Sequence, residues 1–192
     1  FYNNGFKVDG NGIVGSSTDP YTSWTFRKSP KFFDIVTYTG NSTARSIAHN
    51  LGSVPGMIII KQLNTTRNWE VYHRSLAIET GDYPYILQLN RDVDQIGNQT
   101  FFKSGITSTE FKIAHYNAVN QNGGSYVAYL FAHNDGDGGF GHNGDADIIK
   151  CGSYTGNGST QSISLGFEPQ FTLEKGIEAY IPDILNLHSS NN

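Results

Sequence analysis

The chain matches itself twice, in an order that limits how it can be divided into folding units. Gly5-Phe6-Lys7-Val8 aligns with Glu110-Phe111-Lys112-Ile113, and Tyr21-Thr22-Ser23-Trp24-Thr25-Phe26 aligns with Tyr126-Val127-Ala128-Tyr129-Leu130-Phe131. Both matches have the same offset of 105 residues (6 to 111, 21 to 126), so no gap separates them. A second, independent match pairs Tyr38-Thr39-Gly40-Asn41 with Tyr154-Thr155-Gly156-Asn157 and Ser46-Ile47 with Ser162-Ile163, at an offset of 116 (38 to 154). Leu51-Gly52-x-x-Pro55 and Lys61 then align with Leu165-Gly166-x-x-Pro169 and Lys175 at an offset of 114 (51 to 165). The order along the chain is second half, first half, second half, first half. Residues 1–32 therefore read as the C-terminal half of a preceding unit and 33–133 as one complete unit. Residues 134–147 read as a Gly/Asp-rich inter-unit loop, 148–175 as the N-terminal half of a following unit, and 176–192 as a divergent tail. On this reading the chain begins and ends partway through its own unit, and Phe1 opens a fragment or a processed product. Two arrangements fit: units of roughly 100 residues in a row, or one sandwich to which both terminal halves add strands.

The local pattern inside each unit is that of strands. Short apolar runs alternate with clusters of Gly, Asn, Ser and Thr, and few windows of ten residues carry a helical period. Strands are expected at Phe6–Val8, Thr22–Arg27, Asp34–Tyr38, Ser46–His49, Gly56–Leu63, Trp69–His73 and Tyr85–Asn90. Further strands are expected at Glu110–Ala114, Ser125–His133, Asp147–Tyr154, Gln161–Ser164 and Phe171–Glu174. Thr39-Gly40-Asn41 reads as a hairpin turn, and Leu51–Gly56 as a tight connection into the apolar run Met57-Ile58-Ile59-Ile60. The 11 Tyr, 12 Phe and 22 Gly suit strands bounded by turns. The expected class is all-β, with antiparallel β-sandwich or jelly-roll-like repeat units.

Charge and composition exclude several functions. The formal net charge of -4 comes with no basic run, which argues against nucleic-acid binding. No apolar stretch approaches the ~18 residues of a membrane span. One cysteine, Cys151, cannot form an internal disulfide. The N-x-[ST] sequons at Asn41, Asn64, Asn98 and Asn157 are what a chain rich in Asn, Ser and Thr supplies by chance, and the missing disulfides suit a bacterial or phage origin better.

Few motifs carry chemistry. Gly10–Gly15 and Gly136–Gly141 both match G-x-G-x-x-G, but neither leads into the helix a dinucleotide site needs. The Gly-rich insertion offers Asp135, Asp137, Asp145 and Asp147, which would hold Ca²⁺ if they converged; the plainer reading is a solvated linker. Trp69 and Tyr72 are the candidates for stacking on a glycan, with core packing as the alternative. The aligned Tyr129 marks Trp24 as core. The histidines form no zinc pattern. Asp82, Asp92, Asp94 and Glu70 are present, but no spacing singles out a glycosidase pair. The expectation is a non-enzymatic protein without a cofactor.

Four stretches carry a family resemblance: Trp24–Gly40, His49–Lys61, Tyr126–His133 and Ile148–Gly158. They resemble a repeat found in virion proteins of marine bacteriophages, in tail-fibre-like or structural components. The resemblance covers most of residues 5–175 and implies a structural or host-adhesion module at the particle surface. It would partner other virion subunits, associate with itself (as a trimer, by analogy with phage fibres) and contact host surface glycans. The alternative is a lectin-like, carbohydrate-binding module of a bacterial surface or secreted protein. A depolymerase is a third reading, and it needs two carboxylates across a cleft.

Overall fold

The structure is a computed structural model and describes residues 4–8, 15, 20–97 and 100–178. Its strands are β1 (Phe33–Thr39), β2 (Arg45–Ala48), β3 (Met57–Gln62), β4 (Trp69–His73), β5 (Ile78–Glu79), β6 (Tyr83–Pro84), β7 (Leu87–Gln88), β8 (Phe102–Lys103), β9 (Glu110–Ile113) and β10 (Ser125–Phe131). One short helical turn, α1 (Asn117–Asn120), lies between β9 and β10. Every strand pairing is antiparallel. A five-stranded sheet runs β1-β10-β3-β4-β7, a three-stranded sheet runs β2-β9-β8, and β5 and β6 form a small hairpin. The protein is an all-β antiparallel sandwich, as its strand and turn pattern predicts.

The register follows from which side chains must leave water. Ile58 and Ile60 of β3, Tyr126 and Leu130 of β10, and Tyr72 of β4 point between the sheets. They meet Ile47 of β2, Phe102 of β8, and Phe111 and Ile113 of β9. The opposite face of the large sheet is apolar too: Ile59, Val71 and Leu87 cluster with Leu76, and Met57, Trp69, Tyr129 and Phe131 pack around them. A strand buried on both faces reads as a continuous apolar run. That is why Met57-Ile58-Ile59-Ile60 shows no alternation even though its pairings are antiparallel.

The structure alters three expectations. Thr39-Gly40-Asn41 does not join a hairpin, because β1 pairs with β10 and β2 with β9, in different sheets. The positive φ falls on Ser42, and Gly40 is needed for close approach: a Cβ there would lie 2.2 Å from the Gln121 carbonyl oxygen. The strand expected over Tyr85–Asn90 shortens to Leu87–Gln88, with Tyr83–Pro84 pairing separately to β5. The expected strands at Phe6–Val8, Thr22–Arg27, Asp147–Tyr154, Gln161–Ser164 and Phe171–Glu174 do not form runs; Gly5 and Thr172 are the bridge residues there. In the central unit the equivalents of these segments have ladder partners on one or both sides. Gly10–Val14 of the first glycine motif and the tail beyond Glu178 lie outside the described residues.

Candidate functional site

The carboxylate that the chemistry singles out is Glu70, on β4. Residues alternate faces along a strand, so Glu70 and Tyr72 turn into the sandwich while Trp69 and Val71 turn away. Glu70 lies opposite Ile60 on β3 and opposite Gln88 on β7. Its side chain is 1% exposed. Burial pushes its carboxyl up to about 6, against the opposing pull of the Gln88 hydrogen bond and the charges of Arg67, Arg91 and Lys61. The Gln88 amide nitrogen donates to both Glu70 oxygens, at 3.3 and 3.2 Å. Arg91 Nη1 donates to the Gln88 amide oxygen at 3.2 Å, so the Gln88 amide is oriented from both ends.

This group forms the inner wall of a cleft of about 450 Å³ at one end of the sandwich. Arg67, Asn68, Asn90 and Arg91 supply polar side chains, and Phe101 and Tyr116 supply an aromatic wall. The two rings pack with centroids 4.3 Å apart, at 47°. Asn90 is held in place: its Oδ1 accepts from the Trp69 backbone N–H at 2.9 Å, and its Nδ2 donates to Asn68 Oδ1 at 3.1 Å. The following loop is tied to the C-terminal segment by Lys175 Nζ donating to the Arg91 carbonyl and by Gln95 N–H donating to the Ile177 carbonyl. Among the described residues, Glu70 is the one carboxylate of the lining. Chemically the cleft presents amides and guanidiniums beside an aromatic face, with the Glu70 carboxylate buried behind them. A hydroxyl-rich molecule matches that mixture of groups.

The residues singled out from sequence fall elsewhere. Trp69 stacks on Tyr129, centroids 6.2 Å apart at 22°, on the outer face of the large sheet. Tyr72 lies on the inner face against Phe102, at 5.7 Å, and burial pushes its hydroxyl above the usual tyrosine range. Three positions apart on one strand, they face opposite ways and do not form one platform. Trp24, expected in the core, is 62% exposed.

The acidic insertion closes on itself. The Asp147 carboxylate accepts from the Gly136 N–H at 2.6 Å and the Gly138 N–H at 2.9 Å. Asp137 Oδ1 accepts from the Asp135 N–H at 3.1 Å, and Asp135 pairs with Lys150 at 2.6 Å. Asp145 is exposed on the same loop. Among the described residues, no three His, Cys, Asp or Glu side chains converge as a metal site. The loop's shape rests on hydrogen bonds its own residues supply. The sequence names Glu70 only as one of four unmarked carboxylates and does not point to Gln88, because a lone Glu in a strand and a Gln 18 residues later carry no spacing signature. The one available signal was a charged residue at an inward position of an otherwise apolar strand.

Fold and cleft together define an antiparallel β-sandwich domain with a polar pocket at its end. The chain belongs to the family described as Domain of unknown function (DUF7483), which matches residues 1–181. No curated protein and no solved structure matches it.

Proposed function

We propose that the protein is a non-enzymatic structural and adhesion module of a bacteriophage virion, and that its sandwich takes a host surface glycan in the cleft above Glu70. The observation that carries the reading is the buried Glu70 carboxylate, fixed by Gln88 and facing a polar cleft with an aromatic wall. Glu70, 1% exposed, holds Gln88 and through it Arg91 in place; Arg67, Asn68, Asn90 and Arg91 offer polar groups to sugar hydroxyls, and Tyr116 offers its ring to the C–H face of a sugar. The cleft favours binding over cleavage because two-carboxylate hydrolysis needs a second acid roughly 5–10 Å away, and Glu70 is the one carboxylate of the lining among the described residues. The virion assignment rests on the resemblance of the repeat. Weak glycan contacts gain strength when copies are clustered, which makes self-association part of the proposal. A lectin-like module of a bacterial surface protein would use the same cleft.

The test is an array of bacterial surface polysaccharides probed with the wild-type protein, Glu70→Gln and Tyr116→Ala. Retention of a glycan by the wild type and its loss by both variants supports the reading. Absence of binding, or equal binding by all three, overturns it, and release of new reducing ends from a bound polysaccharide overturns the non-enzymatic part. Light scattering addresses assembly: a mass near three times 21.1 kDa supports a fibre-like trimer, and a monomer favours the lectin-like module.

A further inference from the structure

The terminal segments carry the side chains of a sandwich core and leave them in water. Phe6 and Val8 are 50% and 51% exposed, whereas their counterparts Phe111 and Ile113 on β9 are both fully buried. Ile163 is 47% exposed, against 8% for its counterpart Ile47 on β2. These are the same side-chain types at repeat-equivalent positions, so the sequence that buries one set should bury the other once its partners are in place.

The central unit shows what those partners are. There β2 pairs with β9, with Ile47 opposite Phe111. β1 pairs with β10, with Phe33 opposite Phe131 and Thr37 opposite Val127. β10 in turn pairs with β3, with Tyr129 opposite Ile59. Residues 5–26 hold the equivalents of β9 and β10, and residues 149–175 hold the equivalents of β1, β2 and β3. Each half therefore lacks the strands that the other half carries.

The chain also brings the two halves to one place. Because Phe33 lies opposite Phe131, the segment entering β1 and the segment leaving β10 meet at the same end of the large sheet. Phe26 packs there against Phe33 at 5.5 Å and Phe131 at 5.9 Å. The Asn134 N–H donates to the Ile149 carbonyl at 2.9 Å. The Trp24 and Phe171 rings approach to 6.4 Å. Their counterparts, Tyr129 and Met57, share one face of the β10–β3 pair, two positions apart along it, so this contact is the diagonal neighbour that the central register predicts. The family match over residues 1–181 includes both halves in one domain.

We propose that the N-terminal and C-terminal half-units of one chain pair with each other into a second, smaller sandwich built on the register of the first. In that register Phe6 lies opposite Ile163, Thr22 opposite Ser153, Phe26 opposite Ile149 and Trp24 opposite Leu173. Residues 5–26 and 149–175 supply this second sandwich with counterparts of β1, β2, β3, β9 and β10. Neither of these two segments carries an equivalent of Glu70 or Gln88.

Cysteine pairing in the full chain tests it. In a Cys151→Ala background, Thr22→Cys with Ser153→Cys is expected to oxidise to a monomer carrying a 22–153 disulfide, whereas Thr22→Cys with Ser159→Cys, six residues out of register, is not. Disulfide-linked dimers and ladders would mean that the halves pair between copies and overturn the intramolecular closure. Equal cross-linking of both pairs, or of neither, overturns the register. Hydrogen exchange on the unmodified chain gives a second reading that needs no variant. Amides at 22–26 and 150–154 are expected to exchange roughly tenfold or more slower than an unstructured chain, and unprotected exchange at both segments overturns the proposal.

Discussion

The side-chain amide of Gln88 reaches both carboxylate oxygens of Glu70, at 3.3 and 3.2 Å, inside a sandwich whose other inward positions are mostly apolar. One amide does not replace the water that a carboxylate loses on burial. This imbalance gives the protein a pH dependence. A carboxyl raised from 4.5 to about 6 binds more protons folded than unfolded between those values. Its favourable contribution is therefore complete below about 4.5 and is lost as pH rises through about 6. At neutral pH the charged form disfavours the fold by about 2 kcal/mol. Glu70→Gln is expected to raise the melting temperature at pH 7.5 by roughly 5 °C and to flatten the slope between pH 4.5 and 6. Thermal melts across that range check it; a lower melting temperature for the variant at pH 7.5 would contradict the assignment.

Asn120 is the second buried polar anchor. Its Nδ2 donates to the carbonyls of Thr43 and Ala114, both at 2.8 Å, and its Oδ1 accepts from the Asn41 N–H at 3.0 Å. The side chain thus ties α1 to the connection between β1 and β2, where the chain passes from one sheet to the other. Asn120→Ala leaves three backbone groups without their partner and is expected to cost roughly 3 kcal/mol. Asn120→Asp loses the two donated bonds and should be nearly as damaging. Urea denaturation reads both, and a loss below about 1 kcal/mol for the alanine variant would show that water replaces the side chain.

The class and most central strands were legible because they depend on runs: an apolar stretch, a turn cluster, a repeat offset. Gly40 shows where that reading stops. Its neighbours spell a turn, but what demands glycine is the Gln121 carbonyl, 81 positions away, where a Cβ would collide at 2.2 Å. Glu70 and Gln88 meet only because β7 pairs with β4, and no local pattern announces that register. Trp69 and Tyr72 mislead in the opposite sense. Large aromatics close in sequence suggest a platform, but strand alternation sends them to opposite faces.

Cys151 tests how tightly the C-terminal segment sits on the central unit. Its sulfur is buried beside Gly56 and donates to the Ala132 carbonyl at 3.3 Å, and its backbone N–H donates to His133 Nδ1 at 3.1 Å. Burial pushes the thiol up to about 12, so almost no thiolate exists at pH 8. A thiol reagent is expected to label none of the native protein at that pH over minutes and one thiol per chain after denaturation. Rapid labelling of the native protein would mean that residues 149–151 leave the β10 end readily.

The insertion between the central unit and the C-terminal half gives the last expectation. The Gly136 N–H holds the Asp147 carboxyl below the usual range, with Gly138 and Lys150 adding to the effect against a smaller opposing contribution from burial. A depressed carboxyl stabilises the loop at neutral pH, and that contribution is lost as pH falls through its lowered value. The loop is mostly exposed, and these bonds fix its backbone rather than cover it; a protease needs a locally mobile chain, so Asp147→Ala is expected to raise the rate of cleavage within 136–144 several-fold. The central sandwich should melt within about 2 °C of the wild type, because the loop adds little to its core. Calcium or EDTA is expected to change neither quantity, since backbone N–H groups and Lys150 already occupy the carboxylates of Asp147 and Asp135. Limited proteolysis with mass spectrometry, run with each additive, decides between these accounts. Protection that appears with calcium and vanishes with EDTA would show that the four aspartates rearrange around an ion.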